Sequence, residues 1–268
     1  MSDRAVLVRT GGLGDFILSV PLLCSIAESF AEVILVTRPR YFPLVDNLGC
    51  SPRLVDVDIF EPKSSPFLEG SKVFTFWTDE DFLSELEQAG ADETRPLVSR
   101  PHGPPHVTER MFRDARLPIP EDLLERPWLG SELPEGADLW IHPGSGSTGK
   151  NMPLGVFLEE AETWLSGDEG SRVVFSFGEA DEAIEEEILS TSLAFRERVE
   201  LIQPVSNSDL GALLLERAAR FLGNDSGPAH LAASLGIPTQ VFFRSTDPEV
   251  WRPLGPSVEI LQSPPASN

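Results

Sequence analysis

Apolar residues recur along this chain in two rhythms, one of short continuous runs and one of helical spacing. Ala5 to Val8 is a continuous run that predicts a buried strand, and Phe16, Ile17, Val20, Leu23, Ala27 and Phe30 then return on one helical face. Between them lies TGGLGD at 10–15, so the segment reads as strand, tight loop and helix. Val33 to Val36, Leu54 to Val57 and Val73 to Trp77 predict further strands, each followed by a helix-like or turn-rich stretch. The same grammar returns from Leu139, with strands at Leu139 to Ile141, Val173 to Phe177, Val199 to Ile202 and Thr239 to Phe243. Helices are predicted over Leu154 to Leu165, Ala183 to Leu193 and Leu210 to Ala219, with a further one ending at Leu235 before Gly236. Ser206, three places before Asp209, predicts an amino-terminal cap. Apolar strands alternating with helices imply parallel sheets covered on both faces, an α/β fold.

Proline interrupts this pattern in two places. Arg95 to His106 carries Pro96, Pro101, Pro104 and Pro105 with Gly103 and is expected to be loop, before Val107 to Leu117 regains helical spacing. Pro118, Pro120, Pro127 and Pro134 then mark a connecting segment. A boundary near 135 follows, giving domains of 1–135 and 136–268, and the total of 268 residues suits two modest domains. The last residues, Ser263 to Asn268, read as a frayed end.

Charge narrows the set of partners. Lys and Arg number 21 against 43 Asp and Glu, a net charge of -22, which has the wrong sign for non-specific binding to nucleic acid or to an anionic bilayer. Membrane contact is expected to be peripheral at most, and any anionic ligand must be held by local groups. Cys24 and Cys50, the two cysteines, form neither a metal motif nor a disulfide framework, which points to a reducing compartment. Met1 to Arg9 is too short an apolar run for a signal peptide, and no stretch reaches the ~18 apolar residues of a membrane span. The expectation is a soluble, cytoplasmic protein.

Three motifs could carry chemistry. In TGGLGD, Gly11, Gly12 and Gly14 let the backbone approach a ligand, and Asp15 at the mouth of the following helix is either a helix cap or a general base. The dinucleotide fingerprint fails there, because Ile17 stands where its third glycine belongs. HPGSGSTGKNMP at 142–153 lies between a strand and a helix, where glycines, Ser145 and Lys150 could cradle phosphate oxygens. Gly144, Gly149 and Lys150 match the spacing of a nucleotide-triphosphatase loop, but Asn151 replaces the hydroxyl that would bind magnesium. GNDSGPAHLAASLG at 223–236 sets Asp225, Ser226 and Gly227 ahead of Pro228, a residue favoured at the first helical position, with His230 one turn in. That helix end offers free N–H groups and a partial charge of about +0.5, suited to a diphosphate.

Other residues fall around these motifs. Glu179 follows the strand Val173 to Phe177 and could bridge ribose hydroxyls at the sheet's carboxyl edge. Arg110, Arg113 and Arg116, near His102 and His106, form the densest basic cluster, facing either an anionic acceptor or their own neighbours Glu109 and Asp114. DVD at 56–58 alternates along a strand and DED at 79–81 opens a helix, so neither is read as a metal site, and no metal or cofactor is expected.

In this order and spacing, TGGLGD, the HPGSGSTGK loop and GNDSGPAHLAASLGIPT resemble glycosyltransferase family 9, the ADP-heptose lipopolysaccharide heptosyltransferases, over most of the chain. The resemblance implies a GT-B fold, two Rossmann-like parallel-sheet domains facing a central cleft, the first on the acceptor side and the second binding the nucleotide sugar. It implies inverting, metal-independent transfer of a sugar, heptose from ADP-heptose, to a glycan or lipopolysaccharide-core acceptor. Asp15 would deprotonate the acceptor hydroxyl beside the loop of Gly12 and Gly14. Lys150, Ser145 and the Ser226–Gly227 helix end would stabilise the departing diphosphate, Glu179 would hold the ribose, and Asp225 with His230 would shape the donor pocket. Arg110 and Arg113 remain candidates for the acceptor. The chain departs from the family pattern at Arg244 and Ser245, where Gly-Pro is common, and around Glu61 to Gly70, where Lys63 is the sole cation. A catalytically weak nucleotide-sugar-binding or regulatory module is the alternative, and a P-loop NTPase on Gly144 to Lys150 a third reading.

Overall fold

The computed structural model describes residues 3–46, 48–130 and 136–262. The chain divides into two compact units, Met1–Leu123 and Leu124–Asn268.

The first unit runs β1 (Arg4–Val8), α1 (Leu13–Ser29), β2 (Glu32–Thr37), a short α2 (Phe42–Val45), β3 (Arg53–Asp56), β4 (Lys72–Thr75), α3 (Glu80–Gln88), β5 (Glu93–Pro96) and α4 (Val107–Ala115). Its five strands form one sheet in the order β3-β2-β1-β4-β5, and every pairing is parallel. β1 lies at the centre with Ala5 to Val8 fully buried, which is why its sequence is a continuous apolar run rather than an alternating one. Val6, Val8, Ile34, Val36 and Val73 pack with Leu86 of α3 into one core. α1 buries Phe16 through Leu23, and the Phe16 ring stacks on Tyr41 at 4.5 Å between centroids. α4 is tied to α1 by the Thr108 hydroxyl, which donates to Leu18 O at 2.9 Å.

The second unit contains β6 (Asp138–His142), α5 (Leu154–Gly167), β7 (Val173–Ser176), α6 (Glu182–Leu189), β8 (Val199–Ile202), α7 (Asn207–Arg217), β9 (Ala218–Asn224), α8 (Gly227–Ser234), β10 (Thr239–Phe243), α9 (Pro248–Trp251) and β11 (Val258–Gln262). Its six strands are again all parallel, in the order β11-β10-β9-β6-β7-β8. Phe157, Ala161 and Leu165 of α5 pack on Leu139, Ile141, Val173 and Phe175 of the sheet, as their helical spacing predicts. The Ser206 hydroxyl accepts from Asp209 N at 3.1 Å and caps α7. α7 passes into β9 with no intervening loop, and Arg217 at this joint reaches Asp138 (2.9 Å) and Glu200 (2.8 Å).

Several elements differ from expectation. Arg95 and Pro96, expected as loop, end β5; this is an edge strand, and Leu97 N supplies the next hydrogen bond, to Thr75 O at 2.8 Å, so the missing proline N–H costs nothing there. α6 stops at Leu189 rather than Leu193, and α7 stops at Arg217 because Ala218 already pairs with Asp138. β11, at the sheet's outer edge, has no counterpart among the expected strands. The expected boundary near 135 falls on 131–135, outside the described residues, as does Ser263 to Asn268. Residues 124–130 lie with the second unit, where Leu129 N donates to Ser234 O at 2.8 Å and Gly255 N to Leu124 O at 2.9 Å. Among the described residues no helix is long and apolar enough to cross a membrane.

Candidate active site

In a wholly parallel sheet the loops that follow the strands gather at the carboxyl edge, where α/β proteins bind ligands. All three motifs lie at such an edge, TGGLGD after β1 and the other two after β6 and β9.

In the first unit, Asp15 occupies the first turn of α1. Its Oδ2 accepts from Gly12 N at 3.1 Å and its Oδ1 lies 3.3 Å from Arg9 Nη2, while about a third of the side chain remains exposed. Asp15 is therefore a helix cap, and its exposed face is what remains for a base. Gly11 has φ +112°, and a Cβ there would sit 2.8 Å from Asp15 Oδ2, so only glycine serves. Arg9, which sequence reasoning passed over, is buried with its guanidinium 3.9 Å from the Phe76 ring centroid and donates to Asp15 O from Nε (3.0 Å) and Nη2 (2.6 Å). Burial lowers its pKa to about 10, against the opposing pull of Asp15 and Tyr41, so it stays a cation at neutral pH. Tyr41 OH donates to Gly11 O at 3.0 Å and Trp77 Nε1 to Thr10 Oγ1 at 2.9 Å, fixing the loop from two further sides.

In the second unit the two remaining motifs converge. Lys150 Nζ donates to Asp225 Oδ2 at 2.7 Å, Thr246 Oγ1 donates to the same oxygen at 2.6 Å, and His230 Nε2 lies 3.6 Å from Oδ1. Burial alone would push the Asp225 carboxyl up, but His230, Lys150 and Thr246 together hold it well below the usual carboxylate range. Thr246 and His230 remain on Asp225 if the half-exposed Lys150 turns to an arriving anion, so the carboxylate would not be left uncompensated. Ser226 precedes α8, and among the described residues Ser226 Oγ and His230 Nδ1 are buried with no hydrogen-bond partner, beside the N–H groups that open α8.

The Gly-rich loop is held from beneath. Asn224, fully buried at the end of β9, accepts from Met152 N at 3.0 Å and donates to Pro143 O at 2.7 Å, clamping both ends of the loop. The Ser145 hydroxyl, expected to meet phosphate, instead lies 2.5 Å from Asn151 Oδ1 and 2.7 Å from Ser147 O, within the loop itself. Arg244 Nη1 donates to Asn151 O at 2.7 Å. Gly144 packs on Asp181, where any side chain would collide with the carboxylate. Asp181 Oδ2 accepts from Gly178 N at 2.8 Å and lies 3.6 Å from His142 Nε2. Since Trp140 Nε1 donates to Ser176 Oγ (2.8 Å), that hydroxyl is free to donate to His142 Nδ1 (3.1 Å), which directs the Nε2 proton towards Asp181. Burial lowers the pKa of His142, against the pull of Asp181.

The other candidates are more loosely placed. Glu179 is exposed on the turn between β7 and α6 that Asp181 anchors. Arg113 is exposed and 3.5 Å from Glu109 one turn back, as a solvated helix face would be. Arg110 Nη2 reaches Pro104 O at 3.5 Å, with its Nε buried and unpartnered among the described residues. Asp56 and Asp79 accept from Asp58 N (2.9 Å) and Phe82 N (3.2 Å), so both acidic triplets cap local turns. Among the described residues no group of three His, Cys, Asp or Glu is placed to hold a metal ion.

The sequence profile of glycosyltransferase family 9 (heptosyltransferase) matches residues 141–268. The fold is similar to that of a glycosyl transferase family 9 protein from Veillonella parvula (TM-score 0.75, 16% identity, covering 99% of this chain and 88% of that one). It is also similar to E. coli heptosyltransferase WaaC with ADP (TM-score 0.72, 16% identity, 97% and 93%) and to E. coli ADP-heptose lps heptosyltransferase II (TM-score 0.75, 16% identity, 96% and 90%). No curated protein sequence matches the chain. Residues 141–268 of this chain match glycosyltransferase family 9, and the chain has the GT-B fold of a glycosyltransferase, built of two Rossmann-like domains.

Proposed function

We propose that the chain moves heptose from ADP-heptose to a hydroxyl of a glycan acceptor of the lipopolysaccharide core, inverting the anomeric centre without a bound metal. The observation that carries this reading is the meeting of Lys150, Asp225, Ser226 and His230 at one sheet edge, with two buried polar atoms left to answer a ligand. In this reading the Lys150 ammonium and the N–H groups opening α8 neutralise the diphosphate, a role a metal ion would otherwise take.

In this mechanism the acceptor oxygen bonds to C1 of the sugar as the bond from C1 to the β-phosphate oxygen breaks. The leaving diphosphate takes that electron pair, and the acceptor proton passes to the exposed oxygen of Asp15. Arg9 and Gly12 fix the carboxylate's orientation, and Glu179 takes the ribose hydroxyls. Arg110, with its uncommitted Nε, is the better placed of the two arginines for an anionic acceptor.

The test combines binding with turnover. In a thermal-shift panel of ADP, UDP, GDP and CMP, ADP alone should stabilise the chain, Lys150→Ala should abolish that shift, and EDTA should leave it unchanged. Asp15→Ala should lower transfer from ADP-heptose to lipopolysaccharide-core acceptor by at least ~100-fold while sparing ADP binding. The engagement of Asp15 as a helix cap favours a second reading, a nucleotide-sugar-binding module, which tight ADP binding without transfer by the unsubstituted chain would establish instead.

A further inference from the structure

Segment 244–247, which follows β10, bonds with two side chains to residues of the two glycine-rich motifs. Thr246 engages Asp225, the partner of Lys150, and Arg244 donates to the carbonyl of Asn151, the residue next to Lys150. The guanidinium is thereby brought to the rim of the loop while the side chain stays exposed. One of its five N–H donors is engaged by that bond, and the remainder form a planar fork suited to phosphate oxygens.

Charge arithmetic says why a second cation is needed. The chain carries a net -22, and Lys150 is already balanced by the buried Asp225. A diphosphate arriving at Ser226 and His230, the buried atoms without partners, would bring several negative charges to a site whose net side-chain charge is close to neutral. Arg244 is the cation that the fold brings to Asn151, beside Lys150, and its own carboxylate neighbour Asp247 is committed to capping α9 through Glu249 N at 2.9 Å.

We propose that Arg244 is a second phosphate-binding cation of the donor site, paired with Lys150 and taking the terminal phosphate of a nucleoside diphosphate. This rests on the donor-site reading above. It also assigns the hydrogen bond to Asn151 O a positioning role, holding the guanidinium in place before the ligand arrives.

Isothermal titration of the full chain with ADP, AMP, adenosine and inorganic pyrophosphate tests it. Arg244→Ala should weaken ADP and pyrophosphate by about tenfold or more, leave adenosine unchanged and affect AMP least among the phosphates. Arg244→Lys should recover part of the loss, because charge returns without the fork. The unliganded melting temperatures, expected to agree within a degree or two, show that each variant is folded. Equal ADP affinity in Arg244→Ala and the unsubstituted chain overturns the proposal and leaves Arg244 as a loop clasp, as does an equal loss for ADP and adenosine. Lys150→Ala separates the two claims. Loss of ADP binding in that variant with none in Arg244→Ala spares the donor site and removes only Arg244, whereas retention in both removes the donor site and the proposal together.

Discussion

Asp225 concentrates the energetics of the site in one carboxylate. Its folded pKa lies below the ordinary range, so its stabilising contribution is complete above the unfolded value, ~3.9, and is lost as pH falls towards the folded value. Asp225→Asn should therefore cost about 2–4 kcal/mol at pH 7, since it leaves Lys150 and His230 beside a neutral group. Urea unfolding at pH 7 and near pH 3 checks the sign: the gap between the variant and the unsubstituted chain should narrow in acid, and a constant gap contradicts it. Lys150, Asp225 and His230 were legible as residues because each sits inside a glycine-marked motif. Arg9, Thr246 and Asn224 were not, because their partners lie far along the chain or their side chains act on neighbouring backbone. Asn224 reaches Met152 across 72 residues and Pro143 across 81, a coincidence that no spacing rule records.

Among the elements, central strands and long amphipathic helices were read well because burial on both faces of a parallel sheet demands continuous apolar runs. β5 and β11 escaped for the converse reason: both lie at sheet edges, where half-polar sequences such as ETRP and VEILQ are tolerated. The loop over 142–153 is rich in glycine, yet Asn224, Asp181 and Arg244 tie it down at Pro143, Gly144, Asn151 and Met152. Asn224→Ala removes the acceptor of one buried amide and the donor to one buried carbonyl. It should destabilise the second unit by about 2–4 kcal/mol and speed hydrogen exchange at Met152 and its neighbours, while exchange across β1 and β2 stays as it was. Unchanged exchange at Met152 would show that the clamp does not order the loop.

Across the whole molecule, a net charge of -22 sets the long-range field that an anionic donor must cross, whereas Lys150 acts only at contact. Salt with a Debye length of about 8 Å at 0.15 M screens the first far more than the second. Association of fluorescently labelled ADP, followed by stopped flow, should accelerate as NaCl rises from about 0.01 to about 0.15 M, the reverse of electrostatic steering. A rate that falls with salt would mean that the site's own cations govern the approach. The two-domain architecture was legible from the repeated alternation of strand and helix, whereas the packing of 124–130 on Ser234 and Gly255 was not, because that segment carries no periodic pattern. The direct passage from α7 into β9 has a consequence for how this lineage can change. With no slack at Arg217 and Ala218, a single inserted or deleted residue would turn every side chain of β9 to the opposite side of the sheet and carry Asn224 away from Pro143 and Met152. Length variation among descendants is thereby steered towards the outer turns, and the reading frame of this one junction is frozen.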